Sequence, residues 1–216
     1  MEVIWQNHDL YWHGFLKTIA LCWWAGLGAL LLGTLLAGFR VSPVPPLRLA
    51  GTAYVTLVRN CPLTVVLFFM AFGLPELGVN QPYERLAVVG LIVYTSAFVC
   101  EAIRSGMNSV AVGQAEAARS IGLTFTQSLR YVVLPQALRS AVPPIGSVVI
   151  AMIKNSAIVG AFGVGGELFS VGTTLTGARG LAALPVLTGV VLGYLAVTVP
   201  AGLSLQVIER KVAVAR

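Results

Sequence analysis

Apolar and polar stretches alternate along the chain, and five of the apolar stretches have the length expected of helices that cross a membrane. A transmembrane helix needs about 20 predominantly apolar residues. The five stretches lie near residues 18–39, 49–75, 86–103, 137–164 and 180–208. The pattern therefore predicts an all-α membrane protein whose five transmembrane helices occupy residues 18–210.

The two ends of the chain differ from this membrane domain. Residues 1–17 mix aromatic side chains, including Trp5 and Trp12, with polar ones. Such rings collect where a bilayer meets water, so residues 1–17 are interpreted as an interfacial segment. Residues 211–216 are interpreted as a short tail on the cytoplasmic side.

Polar residues interrupt two of the apolar stretches. Arg59, Asn60 and Pro62 break the second stretch, and Lys154 lies near the middle of the fourth. A charged side chain at the centre of a membrane helix costs roughly 2.5–3.5 kcal/mol on insertion scales, which is more than packing alone justifies. The pattern therefore favours a place along a substrate pathway for Arg59–Asn60 and for residues 154–156.

A second interpretation stays open for the charged residues near the end of the third stretch. Glu101 and Arg104 are three residues apart, so they can form an ion pair on one helix face. Arg59 and Lys154 can also pair with Glu101, or with backbone carbonyl groups that are freed near Pro62 and Pro143. The sequence does not decide between these structural roles and a role for Glu101 in the pathway.

The stretch over residues 113–135 is polar, rich in alanine and too short to cross a bilayer. Its first part favours a helix, and Gly122 can adopt the left-handed conformation that ends one. Thr124 and Gln127 match a capping box, which predicts a second short helix, and Pro135 fits the first turn of the next span. The stretch is either an ordinary helical loop or a docking element for a partner.

Composition and charge agree with a membrane protein. The chain is 57% hydrophobic and only 10% charged, against roughly a quarter charged residues in a soluble domain. Its net charge of +6 is attributed to topology rather than to nucleic-acid binding, because basic residues collect in cytoplasmic loops. With the N-terminus outside, the cytoplasmic side receives Arg40, Arg48, Arg119, Arg130, Arg210, Lys211 and Arg216. The three cysteines and two histidines have no metal-site spacing, so no metal is expected.

The stretch over residues 113–135 also resembles the EAA signature of ABC importer permeases. The matching residues are Glu116, Ala117, Ala118 and Gly122, followed by Val132, Leu134 and Pro135. Four other stretches resemble the polar amino-acid permeases of that family, namely residues 57–63 (LVRNCPL), 94–104 (YTSAFVCEAIR), 134–139 (LPQALR) and 154–156 (KNS). The stretches around residues 57–63 and 94–104 look closest to glutamate importers of actinobacteria.

This resemblance implies a type I ABC importer permease in the bacterial cell membrane, with cytoplasmic coupling helices over about 111–133. It implies as partners a second permease chain, two ATP-binding subunits, an extracytoplasmic amino-acid-binding protein and membrane lipid. The implied ATPase contact comprises Gln114, Glu116, Ala117, Ala118, Arg119 and Gly122. The implied substrate pathway comprises Arg59, Asn60, Glu101, Lys154, Asn155 and Ser156. No phosphate-binding GxxxxGK[ST] motif is present, so the chain is expected to be non-catalytic and without a cofactor, with ATP bound by the partner.

The charges also suggest a substrate. With Arg104 set aside as a boundary residue, Arg59 and Lys154 face the single anion Glu101, and Thr56 stands where many relatives have a glutamate. This balance favours an anionic amino acid such as glutamate. Two other classes remain as alternatives: an ion-coupled secondary transporter or channel subunit, and an integral membrane enzyme. The enzyme would need a cluster of catalytic side chains that the sequence does not display.

Overall fold

The computed structural model describes residues 2–162 and 166–212, and this part of the chain is helical with no strand. Three π-helical turns, Phe69–Gly73, Leu129–Val133 and Thr174–Ala178, continue helices rather than separate them. The helices are α1 (Glu2–Gln6), α2 (His8–Val41), α3 (Pro45–Asn60), α4 (Leu63–Phe68), α5 (Leu74–Glu76), α6 (Tyr83–Asn108), α7 (Val112–Ser120), α8 (Phe125–Ser128), α9 (Leu134–Ala161), α10 (Leu168–Thr173) and α11 (Ala183–Val212).

Within residues 2–162 and 166–212, four helices are long and apolar enough to cross a membrane. They are α2, α6, α11 and the continuous segment Phe125–Ala161, with mean hydropathies between 1.5 and 2.1 over their most apolar windows. The fifth predicted span is broken: Pro45–Asn60 and Leu63–Glu76 meet at an angle of 98°. The predicted count of five is reached when this bent pair is counted as one span.

The bend in the second span follows from its sequence and its neighbours. Pro62 has no backbone N–H to donate, and it takes an extended conformation between α3 and α4. Beyond the bend, α4 and the following π-helical turn lie along α6, where Leu67 and Met70 pack against Gly90. On the other side, α3 crosses α2, with Gly51 against Phe39 and Arg40.

The helices at the two ends of the bundle differ. The loop end carries α7 and α8, together with the ends of α2 and α6. The α1 end carries α1, α10 and the start of α11, joined by hydrogen bonds from Tyr11 to the Val186 carbonyl and from Arg179 to Asn7. The predicted interfacial segment is therefore helical at this end, with Tyr11 buried. Of the predicted tail, residues 213–216 lie outside the described part of the chain.

Close packing of α2 on α6 forms the centre of the bundle. A Cβ atom added to Gly33 would lie 2.6 Å from the Val99 Cβ and 2.8 Å from the Ser96 carbonyl oxygen. A side chain at Gly28 would meet Ile92 in the same way. Small residues at these positions allow the two backbones to approach, as is common between membrane helices.

Candidate functional site

The loop between α6 and α9 folds as its sequence predicts. α7 ends before Gly122, whose φ of 91° lies in the left-handed region. At the start of α8, the Gln127 backbone N–H donates to the Thr124 hydroxyl at 3.4 Å, and the Gln127 side chain accepts from the Thr124 N–H at 2.9 Å. The predicted helix, break and capped second helix are confirmed, as is Pro135 in the first turn of α9.

Most of the predicted contact residues on this loop are exposed. Gln114, Glu116, Ala117, Arg119 and Gly122 all lie on the surface. Ala118 does not, because its side chain is only 4% exposed; its expected role in an ATPase contact stays a prediction.

Large apolar side chains add to the exposed surface of the loop. Ile121 is 80% exposed and Phe125 is 74% exposed, on either side of the Gly122 turn. Apolar side chains that protrude from a polar segment are typical of a surface that a partner covers. Sequence reasoning missed these two residues, although their position beside Gly122 could have indicated them.

The loop connects to the membrane helices through a tight crossing of α6 and α9. A Cβ atom on Gly106 would lie 2.6 Å from both the Ala137 carbonyl oxygen and the Ala141 Cβ. Backbone atoms cannot move aside as a flexible side chain can, so only glycine fits this position. Gly106 and Ala137 therefore fix the spacing of the two helices that lead into and out of the loop.

Replacing Gly106 by alanine is expected to destabilise the protein by about 1–3 kcal/mol, since overpacking typically costs that much. Gly113 provides a matched control, because it also lies in a helix but a Cβ there meets nothing within 4 Å. Gly113→Ala is expected to be neutral or to stabilise by up to about 1 kcal/mol through helix propensity. Thermal unfolding of both variants in detergent measures the two effects. Gly106→Ala should lower the melting temperature, and Gly113→Ala should leave it unchanged or raise it; equal melting temperatures would refute the tight crossing.

Glu101 lies at the centre of a charge cluster contributed by three helices. Arg40 of α2 forms a close ion pair with its Oε1 atom. Arg59 of α3 and Arg104 of α6 approach the same oxygen at 3.6 and 3.9 Å. The structural interpretation of Arg59 and Arg104 as ion partners of Glu101 is thus confirmed.

The charge balance drawn from the sequence needs correction. Arg104 cannot be set aside, and Arg40, which was counted only among the cytoplasmic basic residues, is the closest partner of Glu101. Three guanidinium groups therefore face one carboxylate, which leaves an excess of positive charge. The Arg59 guanidinium also lies 5.7 Å from the centre of the Phe98 ring, and the neighbouring Asn60 side chain bonds to the Thr56 carbonyl of its own helix.

The side chains of residues 154–156 in α9 lie in three different environments. Lys154 is exposed. Asn155 lines a cavity of about 130 Å³ together with Tyr94, Thr95 and Phe98 of α6. Ser156 is fully buried and donates to the Ile153 carbonyl oxygen at 2.7 Å. Phe98 thus contacts Arg59 and also lines the cavity that Asn155 lines, so two of the predicted pathway groups lie beside the same residue of α6.

A buried carboxylate at the α1 end was not found from the sequence. Glu167 is fully buried at the N-cap of α10, where it accepts from the Phe169 and Ser170 backbone N–H groups at 2.8 and 2.7 Å and from the Tyr194 hydroxyl at 2.8 Å. Burial raises the pKa of Glu167 above its ordinary value, although these three bonds oppose the shift. The remaining α10 donor, the Leu168 N–H, bonds to the Thr18 hydroxyl. Glu167 therefore holds α10 against α11, and the Thr18 hydroxyl holds α10 against α2.

Comparison with known proteins assigns this chain to a family. Residues 29–214 match the model of the binding-protein-dependent transport system inner membrane component. The chain belongs to this family. It is a multi-pass membrane component of a transport system and not an enzyme.

The matches to individual relatives cover nearly the whole chain. The glutamate transport system permease protein GluC of Corynebacterium efficiens is 42% identical over 212 residues, which cover 93% of this chain and 92% of the relative. The probable glutamine ABC transporter permease protein GlnM of Bacillus subtilis is 36% identical over 98% of this chain and 97% of its own length.

Solved structures agree with the fold. A crystal structure of an amino acid ABC transporter with histidines superposes with a TM-score of 0.91 at 30% identity, covering 97% of both chains. An inward-facing structure of the MetNI methionine ABC transporter gives a TM-score of 0.77 at 24% identity, covering 97% of this chain and 99% of that one. The second likeness concerns the fold alone.

Proposed function

We propose that this chain is a permease subunit of an ATP-driven ABC importer for polar amino acids, with glutamate as its substrate. The observation that carries the proposal is the 42% identity to a glutamate transport permease over 93% of the chain. The excess positive charge around Glu101 supports an anionic substrate. Two chains of this kind, either two copies or this chain with a related second permease, enclose the pathway.

Coupling to ATP takes place through α7 and α8, which form the coupling helices. Gln114, Glu116, Ala117 and Arg119 contact the ATP-binding subunit, and Gly122 provides the turn between the two helices. ATP binding closes the two ATP-binding subunits and draws the coupling helices together. The tight crossing at Gly106 passes this movement to α6 and α9, and the pathway changes from inward-open to outward-open.

The substrate passes along α6, against which both α3 and α9 pack. Arg59 and Asn60 lie at the bend of the second span, and Asn155 lies near Phe98. Lys154 adds a further positive charge in the last third of α9. The extracytoplasmic binding protein delivers the amino acid to the α1 end, and much of the selection is made there.

The orientation follows the basic residues. Arg48, Arg119, Arg130 and Lys211 lie at the loop end, whereas Lys17, Arg85 and Arg179 lie at the α1 end. Basic residues collect on the cytoplasmic side. We therefore place the loop end in the cytoplasm, with the N-terminus outside and the C-terminus inside.

Lys154→Ala is expected to lower glutamate uptake at least tenfold, since a bond to a charged group contributes about 1.5–3 kcal/mol. Lys154→Arg should keep most of the uptake because the charge remains. Lys211→Ala, which removes an exposed lysine from the last turn of α11, is the matched control. The assay is ATP-driven uptake by proteoliposomes that contain the assembled transporter; unchanged uptake by Lys154→Ala would contradict the assignment.

Arg59→Ala is a weaker probe of the same pathway. Arg59 also pairs with Glu101, so a loss of uptake can come from a loosened cluster. Thermal unfolding of this variant separates the two causes, because a pathway residue lowers uptake without lowering the melting temperature.

A further inference from the structure

A groove with a volume of about 450 Å³ runs between α2 and α6 at the α1 end. Its mouth carries three charged side chains, Lys17, Glu84 and Arg85. Its walls are apolar and include Leu21, Trp24 and Val88. We call this feature the α2–α6 groove.

The charged mouth lies where the apolar part of each helix begins. Lys17 directly precedes the apolar stretch over residues 18–39, and Arg85 directly precedes the one over residues 86–103. Trp24 follows Lys17 by seven residues, which at 1.5 Å per residue places it about 10 Å deeper along α2. A phospholipid has the same order of groups, with a charged phosphate at the surface and an acyl chain below it.

The charges at the mouth do not cancel. The Lys17 ammonium group donates to Glu84 at 2.7 Å. Arg85 donates to the neutral Gln81 side chain at 3.2 Å and has no ion pair within the described residues. Glu167 also lines the groove, but its carboxylate accepts hydrogen bonds from two α10 amides and from the Tyr194 hydroxyl. The two cations Lys17 and Arg85 therefore outnumber the exposed carboxylate of Glu84, which leaves one net positive charge at the mouth.

We propose that the α2–α6 groove binds one anionic phospholipid, with its phosphate at Lys17 and Arg85 and an acyl chain against Trp24. The groove is open to the outside of the bundle, since Trp24 is 61% exposed and Val89 is 46% exposed. A helix of a second permease chain fits less well, because it would place apolar side chains against three charged groups. This lipid site is independent of the substrate and of the coupling loop.

Native mass spectrometry of the purified transporter with added phosphatidylglycerol or phosphatidylcholine tests the proposal. Phosphatidylglycerol is expected to bind more tightly, and Arg85→Ala to weaken its binding about fivefold, since a basic residue near a membrane surface contributes that much. Arg179→Ala is the matched control: it removes an arginine from the same end, but one that bonds to Asn7 outside the groove. Binding by Arg179→Ala should match the unmodified chain.

A second pair of variants tests the position of the acyl chain. Trp24→Ala should weaken phosphatidylglycerol binding, whereas Trp23→Ala should not, because Trp23 is at least as exposed but lines a different groove. Equal binding of the two lipids, or equal effects of Arg85→Ala and Arg179→Ala, would overturn the proposal. So would a crosslink from Trp24→Cys to the second permease chain, which would identify a helix as the occupant.

Discussion

Glu116→Arg is expected to weaken the association of this chain with its ATP-binding subunit by at least tenfold and to abolish most ATP-driven uptake. Glu116 is exposed on α7, where the proposed contact pairs it with a basic residue of that subunit. A reversed charge would bring two like charges together, which costs several kcal/mol at an interface, and each 1.4 kcal/mol is tenfold in affinity.

Co-purification of the ATP-binding subunit measures this effect. The control is Glu76→Arg, which makes the same charge reversal on an exposed residue beyond the bend of the second span, away from α7 and α8. The control should retain the ATP-binding subunit in full. Equal retention by both variants would exclude Glu116 from the contact.

Glu101→Ala is expected to lower the free energy of unfolding by roughly 1–3 kcal/mol. Removing one partner of a fully buried pair costs about 3–5 kcal/mol, and the 31% exposure of the Glu101 side chain reduces that figure. The remaining Arg40 side chain is only 12% exposed, so it would keep its charge in a poorly solvated position. Arg59 and Arg104 would then repel it across the same space.

Glu84→Ala is the matched control for Glu101→Ala. Glu84 lies on the same helix and forms an ion pair with Lys17, but both side chains are more than half exposed. Exposed pairs contribute about 0–1 kcal/mol, so this variant should unfold close to the unmodified protein. Thermal unfolding in detergent compares the two, and similar shifts would show that the Glu101 cluster is not structurally important.

The features that could be predicted from the sequence are those with local causes. The Gly122 turn and the capping box depend on residues within a few positions of one another, and both form as expected. Pro62 indicated that the second span breaks. The bend angle of 98° could not be predicted from the sequence, because it depends on how α4 packs against Gly90 of a later helix.

The features that were missed depend on residues far apart in the sequence. Glu167 accepts a hydrogen bond from Tyr194, 27 residues away, and caps a helix whose first N–H bonds to Thr18. Arg40 was counted only among the cytoplasmic basic residues, yet the last turn of α2 brings it to Glu101, 61 residues later. Acidic residues near a helix start favour capping, which is the one local signal that could have indicated Glu167.

ATP hydrolysis by the assembled transporter tests the central claim most directly. The transporter is reconstituted from this chain, its second permease chain, the ATP-binding subunits and the binding protein, and the rate is measured with single amino acids. We predict that glutamate raises the rate and that Glu116→Arg removes this stimulation. Glutamate uptake that follows an ion gradient without the ATP-binding subunits, or a rate that no amino acid changes, would contradict the account.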